Sequence, residues 1–260
     1  MRIYFMLSYS RAKANRPEFT EVMANLSAEG FDVSAGVAES LAISPEELRV
    51  EADLYILKSN SELWLNLAGV LDRKGAHILN RYRACLGTIN KIRAAASLSA
   101  AQIPIPRSWV TGDIQHILEI TDAEQFVIKP NIGHGSAGIR IVRDRAQLAS
   151  IQIDDGILVQ ELIGPVEDEL KLYVIGERVF GIRKQADGGQ REPVVVESVL
   201  EDLALRCGRA LDLEICGVDV LITPNGPVVV DVNYFPSFRE VPGVARPLTD
   251  YIIASAKLAG

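Results

Sequence analysis

What this 260-residue chain lacks narrows its reading first. It has only three cysteines, Cys85, Cys207 and Cys216, odd in number and widely spaced. They form neither a metal-binding pattern nor a disulfide framework, which points to a reducing compartment and to cysteines serving as small buried apolar groups. No apolar run approaches the length that crosses a bilayer. Ile3 to Leu7 is too short for a signal-peptide core, and Ser8, Tyr9 and Ser10 follow at once. A cytoplasmic protein with no membrane partner is the expectation. Basic excess is missing too: 27 Lys and Arg stand against 34 Asp and Glu, a net charge of −7. That balance argues against nucleic acid as a partner, and an anionic substrate would need local basic residues or metal. No internal repeat, low-complexity tract or long linker is visible. The remainder is ordinary for a globular protein, 48% hydrophobic and 23% charged. The length suffices for one large domain or several smaller lobes.

The first 80 residues alternate strand-like and helix-like segments. RIYFML, FDVSAGV, DLYILKS and Ala76–Leu79 read as strands. Helices are expected from Pro17 to Gly30, over Glu46–Val50 and over Ser61–Lys74, so this part reads as a small parallel layered sheet. One helix is expected over Tyr82–Ala101, broken by the prolines of QIPIPR. RSWV, QFVIKP, Ile139–Val142 and GILVQELI follow as strands, with Asp113 and Asp144 opening short helices. ELKLYVIG and RVFGIRKQ form a hairpin about Gly176-Glu177. Leu200–Leu211 and Pro247–Leu258 read as helices.

Two stretches carry chemistry. In CGVDVLITPNGPVVVDVN, two apolar runs meet at Pro224-Asn225-Gly226, a strong hairpin signal. Asp231 and Asn233, two residues apart, share a face, and a hairpin brings Asp219 opposite them. Three hard oxygen ligands on one surface suit Mg²⁺ together with substrate phosphates. The alternative is a half-exposed hairpin whose acids face water. The second stretch, NIGHGSAG over Asn131–Gly138, joins two strands just after Lys129. Its three glycines allow close backbone approach to a phosphate, or serve as a plain connection. The spacing fits neither a Walker loop nor a dinucleotide turn.

The order FVIKP, glycine-rich loop, VQELI, ELKLYVIG and GVDVLIT…VVVDVN resembles the ATP-grasp superfamily over roughly residues 80–245. The segment NKIRAAASLSAAQIPIP is similar to RimK-type ligases, whereas DVNYFPSF and His134-Gly135-Ser136 also resemble inositol trisphosphate kinases. Lys171 stands where RimK-type ligases usually carry arginine, Asp231 where many carry glutamate, and their basic stretch after Lys184 is missing. The resemblance implies an α/β chain of α+β lobes in the ATP-grasp fold, a small parallel N-terminal lobe (1–80) before an ATP-grasp domain (81–260). Within the latter, about 108–163 would clamp the nucleotide and about 164–260 would hold metal and acceptor.

By the same resemblance, Lys91 and Lys129 contact the ATP phosphates under the loop residues Gly133, His134, Gly135 and Ser136. Gln160, Glu161, Leu162 and Ile163 form the adenine hinge, and Glu169 holds the ribose in competition with Glu167 and Asp168. Asp219, Asp231 and Asn233 bind one or two Mg²⁺ ions, with Mn²⁺ as a substitute. Lys171 and Arg183 act on the transferring group, and Ser237 and Arg239 meet the acceptor. The implied activity is an ATP- and Mg²⁺-dependent ligase that joins a small-molecule or peptide carboxylate to an amine through an acyl phosphate. A kinase of the inositol trisphosphate type and a non-catalytic nucleotide-binding module are the alternatives. The oligomeric state stays open, a homo-oligomer included.

Overall fold

The computed structural model describes residues 1–7, 17–132, 138–153, 156–184 and 191–259. The expected loop contacts of Gly133, His134, Gly135 and Ser136 therefore lie outside the described residues. Three sheets organise the described residues. In the first, β1 (Arg2–Leu7) lies between β2 (Asp32–Val37) and β3 (Leu54–Leu57), and β4 (Ile78–Leu79) closes the far edge, all parallel. Every residue of β3 is buried, as a strand covered on both faces requires. Helices α1 (Pro17–Ala28) and α2 (Glu62–Arg73) flank this sheet. Ser61 caps α2 by accepting from the Trp64 amide, and Trp64, Leu65, Ala68 and Leu71 turn inward.

The helix expected over Glu46–Val50 does not form: residues 45–47 make a turn and residues 48–52 have no regular structure. The end of this segment is held instead by the Tyr55 hydroxyl, which accepts from the amides of Glu51 (2.8 Å) and Ala52 (3.2 Å). The helix expected over Tyr82–Ala101 is also corrected. It divides into α3 (Tyr82–Ile89) and α4 (Lys91–Ala100), with Asn90 extended between them. Asn90 caps α4 by accepting from the Arg93 amide at 3.0 Å. The Lys91 amide donates to Asn131 O at 2.8 Å, which ties the break to the chain just beyond Lys129.

The second sheet is antiparallel, ordered β5 (Ser108–Thr111), β8 (Ile157–Glu161), β6 (Phe126–Pro130), β7 (Arg140–Val142). Its two short helices, α5 (Ile114–Ile120) and α6 (Arg145–Ala149), begin at Asp113 and Asp144, each of which accepts from an amide of the first turn. Ile117, Phe126, Leu148 and Val159 belong to a core confined to this lobe. The third sheet is ordered β11 (Arg191–Val194), β10 (Arg178–Lys184), β9 (Asp168–Ile175), β12 (Ile215–Thr223), β13 (Gly226–Tyr234), antiparallel throughout. Helix α7 (Ser198–Ala210) packs on it, and α8 (Ala245–Ala259) lies against α1.

One continuous core joins the first sheet to the third, so Phe5, Ile56 and Trp64 belong with Tyr173, Val218 and Phe238. Asn80, fully buried, stitches that seam. Its side-chain oxygen accepts from the Glu214 and Ile215 amides, and its amide donates to Ile215 O, each at 2.8 Å. Asn80→Ala would take the acceptor from the Glu214 and Ile215 amides, while Ile215 O keeps the Phe235 amide at 3.0 Å. A loss of about 3 kcal/mol in denaturant unfolding is expected.

All three cysteines are free and buried. No helix among the described residues is long and apolar enough to cross a membrane.

Candidate active site

A cleft of about 520 Å³ opens between the second and third sheets. Strand alternation supplies its floor. In β9, Glu169, Lys171 and Tyr173 face the cleft while Leu170, Leu172 and Val174 face the core. The two-residue turn at Gly176-Glu177 sets the register of β10, pairing Lys184 with Glu169 and Arg183 with Leu170. Lys184 therefore faces the cleft and ion-pairs with Glu169. Arg183 lies on the opposite face, where its Nε donates to Asp168 at 2.6 Å. The expectation that Arg183 meets the transferring group is thus corrected, because the adjacent basic residue takes the inward position. The same alternation separates the acidic cluster, with Glu169 inside and Asp168 outside.

In the hairpin β12–β13, Asp219 stands directly opposite Asp231, and Asn233 donates to Asp231 at 3.0 Å. The turn proper is Pro224–Asn225, and Gly226 begins β13 at φ +108°, where glycine is required. A register shift beside Asp219 leaves Val230 without a cross-strand partner. Val230 is the extra residue of a bulge, a device common beside active sites. Its carbonyl accepts from Lys129 Nζ at 2.6 Å.

Each acid of the hairpin carries a lysine. Lys91, delivered by the first turn of α4, reaches Asp231 at 2.5 Å. Lys171 reaches Asp219 at 2.9 Å and 3.1 Å. Lys129 is 8% exposed, and burial holds its ammonium below the usual lysine range. Lys91 adds to that shift, while Asp231 and Asp219 oppose it. Two carboxylates face to face, with an amide oxygen beside them, form a hard-oxygen set that fits Mg²⁺. Among the described residues no group of three or more His, Cys, Asp or Glu gathers, in this cleft or elsewhere, so the set consists of two acids and one amide.

Apolar side chains line the end of the cleft under the second sheet: Val127, Ile139 and Ile141 from above, Leu221 from below. Gln160 to Ile163 run along that end. The amides of Glu161 and Leu162 are taken by Arg107 O and Gln125 O, each at 2.9 Å. The Ile163 amide has no protein acceptor among the described residues. A slot with apolar walls and a free main-chain donor accepts a flat heteroaromatic ring. At the other end lie Tyr173, Arg191, Ser237 and Arg239. Burial pushes the Tyr173 phenol up to about 12, so it keeps its proton as a donor. Arg191 is 3.9 Å from Glu240, whereas Arg239 carries no ion pair or hydrogen bond among the described residues.

Among the described residues, Lys91, Lys129, Lys171, Lys184, Arg191 and Arg239 thus face Glu161, Glu169, Asp219 and Asp231, six cations against four carboxylates. The surplus is local, in a chain whose net charge is −7. Every expected site residue within the described part lines this one cleft except Arg183. Tyr173 and the Val230 carbonyl are additions. Tyr173 was detectable as the next inward position after Glu169 and Lys171, but a bulge leaves no comparable mark.

Residues 88–242 match the model of the RimK-like ATP-grasp domain. A probable alpha-L-glutamate ligase of Xanthomonas campestris pv. campestris is 30% identical over 196 residues, 67% of this chain and 67% of that protein. A RimK domain ATP-grasp protein from Sphaerobacter thermophilus superposes with TM-score 0.82 at 21% identity, covering 96% of this chain and 99% of that one. The ATP-grasp ligase PsnB, solved with minimal precursor, Mg and ADP, gives TM-score 0.72 at 19% identity, covering 98% of each chain. Fold and site together define an ATP-grasp enzyme, an ATP-dependent carboxylate–amine ligase. Within that class the chain belongs to the RimK-like ATP-grasp family. The Xanthomonas relative and PsnB are named as ligases, and neither lends the kinase alternative support.

Proposed function

We propose that this enzyme phosphorylates a carboxylate with ATP and couples it to the amine of an acidic amino acid such as L-glutamate. The observation that carries the reading is the pairing of opposed Asp219 and Asp231 with Lys91, Lys129 and Lys171 in a cleft whose far end holds the unpaired Arg239. One end accepts a base and a polyphosphate; the other accepts an anion. The name of the Xanthomonas relative, an alpha-L-glutamate ligase, supports L-glutamate as the amine.

The apolar slot beside Gln160–Ile163 takes the base, with the Ile163 amide as donor. Lys91 and Lys129 bind the phosphates, and Glu169 takes the ribose, since Asp168 faces away. Asp219, Asp231 and Asn233 would hold one or two Mg²⁺ ions, or Mn²⁺ as a substitute. When bound, the metal supplies charge neutralisation along the phosphates. Lys91 and Lys171 then exchange their carboxylate partners for phosphate and carboxylate oxygens of the substrates. A carboxylate oxygen attacks the γ-phosphorus, the bond to the β-phosphate oxygen breaks, and ADP leaves. The amine attacks the acyl phosphate carbon, phosphate departs, and the amine gives up a proton. Lys171 and Lys184, at the centre of the floor, stabilise the charge on the transferring group. Tyr173 and Ser237 orient the acceptor, and Arg239 binds its carboxylate.

Purified protein with ATP and Mg²⁺ should release ADP and phosphate when L-glutamate, which offers both an amine and a carboxylate, is added, and release neither without it. A product heavier by one phosphoryl group, with no free phosphate, overturns the reading in favour of the kinase. Arg239→Ala should raise KM for the amino acid about tenfold, close to 1.4 kcal/mol, by removing one charge-assisted contact. KM for ATP should stay unchanged, since Arg239 lies at the other end of the cleft.

A further inference from the structure

The chain leaves the third sheet at Tyr234 and carries Ser237 and Arg239 into the cleft. Its backbone there is one that L-residues avoid: φ is +38° at Phe235, +51° at Phe238 and +64° at Glu240. Such conformations persist only where the surroundings impose them. The restraint comes from the first sheet. Lys58 follows β3 directly and is 2% exposed, and its Nζ donates to Phe235 O at 2.7 Å. The same ammonium lies 5.0 Å from the Phe19 ring centroid and 5.8 Å from that of Phe235. Next to it, the Tyr234 hydroxyl donates to Ser59 O at 3.0 Å. Phe238, fully buried, packs on Tyr173 with ring centroids 5.4 Å apart and on Phe19 at 6.4 Å. A lysine is a costly residue to bury where packing alone is needed. Here its ammonium meets the carbonyl of a left-handed residue two positions before Ser237.

We propose that Lys58 is a positioning residue for the ligase reaction. From the N-terminal sheet it fixes the loop of residues 235–239, so that Ser237 and Arg239 face the acceptor. It is not among the residues that line the cleft. The inference rests on the reading of that end of the cleft as the acceptor site. It makes the N-terminal sheet part of the specificity apparatus.

Two variants of the full chain test it. Lys58→Met keeps the length and the burial of the side chain but removes the donor. Tyr234→Phe removes one hydroxyl and carries little risk to folding. Both are compared with wild type by hydrogen exchange and by steady-state kinetics with ATP, Mg²⁺ and L-glutamate, which offers both a carboxylate and an amine. Lys58→Met should speed exchange over residues 235–241 while the β9 and β12 amides keep wild-type rates. It should also raise KM for L-glutamate about tenfold and leave KM for ATP within about twofold. Tyr234→Phe should shift both readouts in the same direction by a smaller factor. Unchanged exchange in that segment overturns the proposal, as does a rise of both KM values together with faster exchange throughout the third sheet. If wild type shows no turnover with L-glutamate, the substrate reading has failed, and the exchange pattern still decides the role of Lys58. If Lys58→Met does not fold, Tyr234→Phe decides it.

Discussion

Asp231→Asn is expected to lower turnover about a thousandfold while the protein stays folded. Asp231 does three things at once. It takes the Lys91 ammonium at 2.5 Å, accepts from Asn233 at 3.0 Å, and presents a negative charge directly opposite Asp219. An asparagine has one oxygen where the carboxylate has two, so it can serve Lys91 or Asn233 but not both. Lys91 also loses its counter-charge beside Lys129, which already feels Lys91 as a repelling neighbour. Removing one acid from the set that fits Mg²⁺ forfeits several kcal/mol of charge stabilisation in the transition state, about three decades in rate. The fold should lose only about 1 kcal/mol, because Asp231 lies in a half-open cleft and the variant keeps its shape. Turnover measured beside a thermal melt checks both halves. Asp168→Asn is the control: its partner Arg183 faces away from the cleft, so activity should stay within about a factor of two.

Lys129→Met should weaken ATP binding about a hundredfold, near 3 kcal/mol for a buried charge-assisted contact. Stability should move little, within about 1 kcal/mol. Burial disfavours the charged form of Lys129, so an apolar side chain of similar length relieves that penalty while leaving the Val230 carbonyl without its donor. Binding and stability thus separate in this variant, and calorimetric titration with ATP set against denaturant unfolding shows whether they do. The same depressed pKa fixes a pH dependence. Lys129 sheds its proton below the ordinary lysine value of about 10.4, so ATP affinity of the free enzyme should fall on the alkaline side below that value. In Asp231→Asn one opposing charge is gone, and the fall should move to still lower pH.

Much of the cleft could be read from residue order because strands alternate. Asn225-Gly226 marked the hairpin, and alternation then put Asp219, Asp231 and Asn233 on one face, as the register confirms. The choice between Arg183 and Lys184 needed one more step. The turn at Gly176-Glu177 fixes Lys184 opposite Glu169, and this was inferable from the sequence once the turn was given two residues. The break at Asn90 carried a capping signal that a continuous run of helix formers concealed. Its consequence is functional, since only a helix beginning at Lys91 points that side chain at Asp231. The bulge at Val230 and the Lys58 contact had no local signal. Both depend on segments about 100 residues or more apart meeting in space, Lys129 with Val230 and Lys58 with Phe235.

The central claim is that a carboxylate is activated by phosphorylation in this cleft and then captured by an amine. It is tested most directly with L-glutamate labelled with oxygen-18 in its carboxylates, incubated with ATP, Mg²⁺ and the wild-type protein. The expected result is one labelled oxygen in each phosphate released, with ADP and an amide formed in equal amount, because the attacking carboxylate oxygen leaves with the phosphoryl group. Unlabelled phosphate, or a phosphoryl group retained on the product, would contradict it.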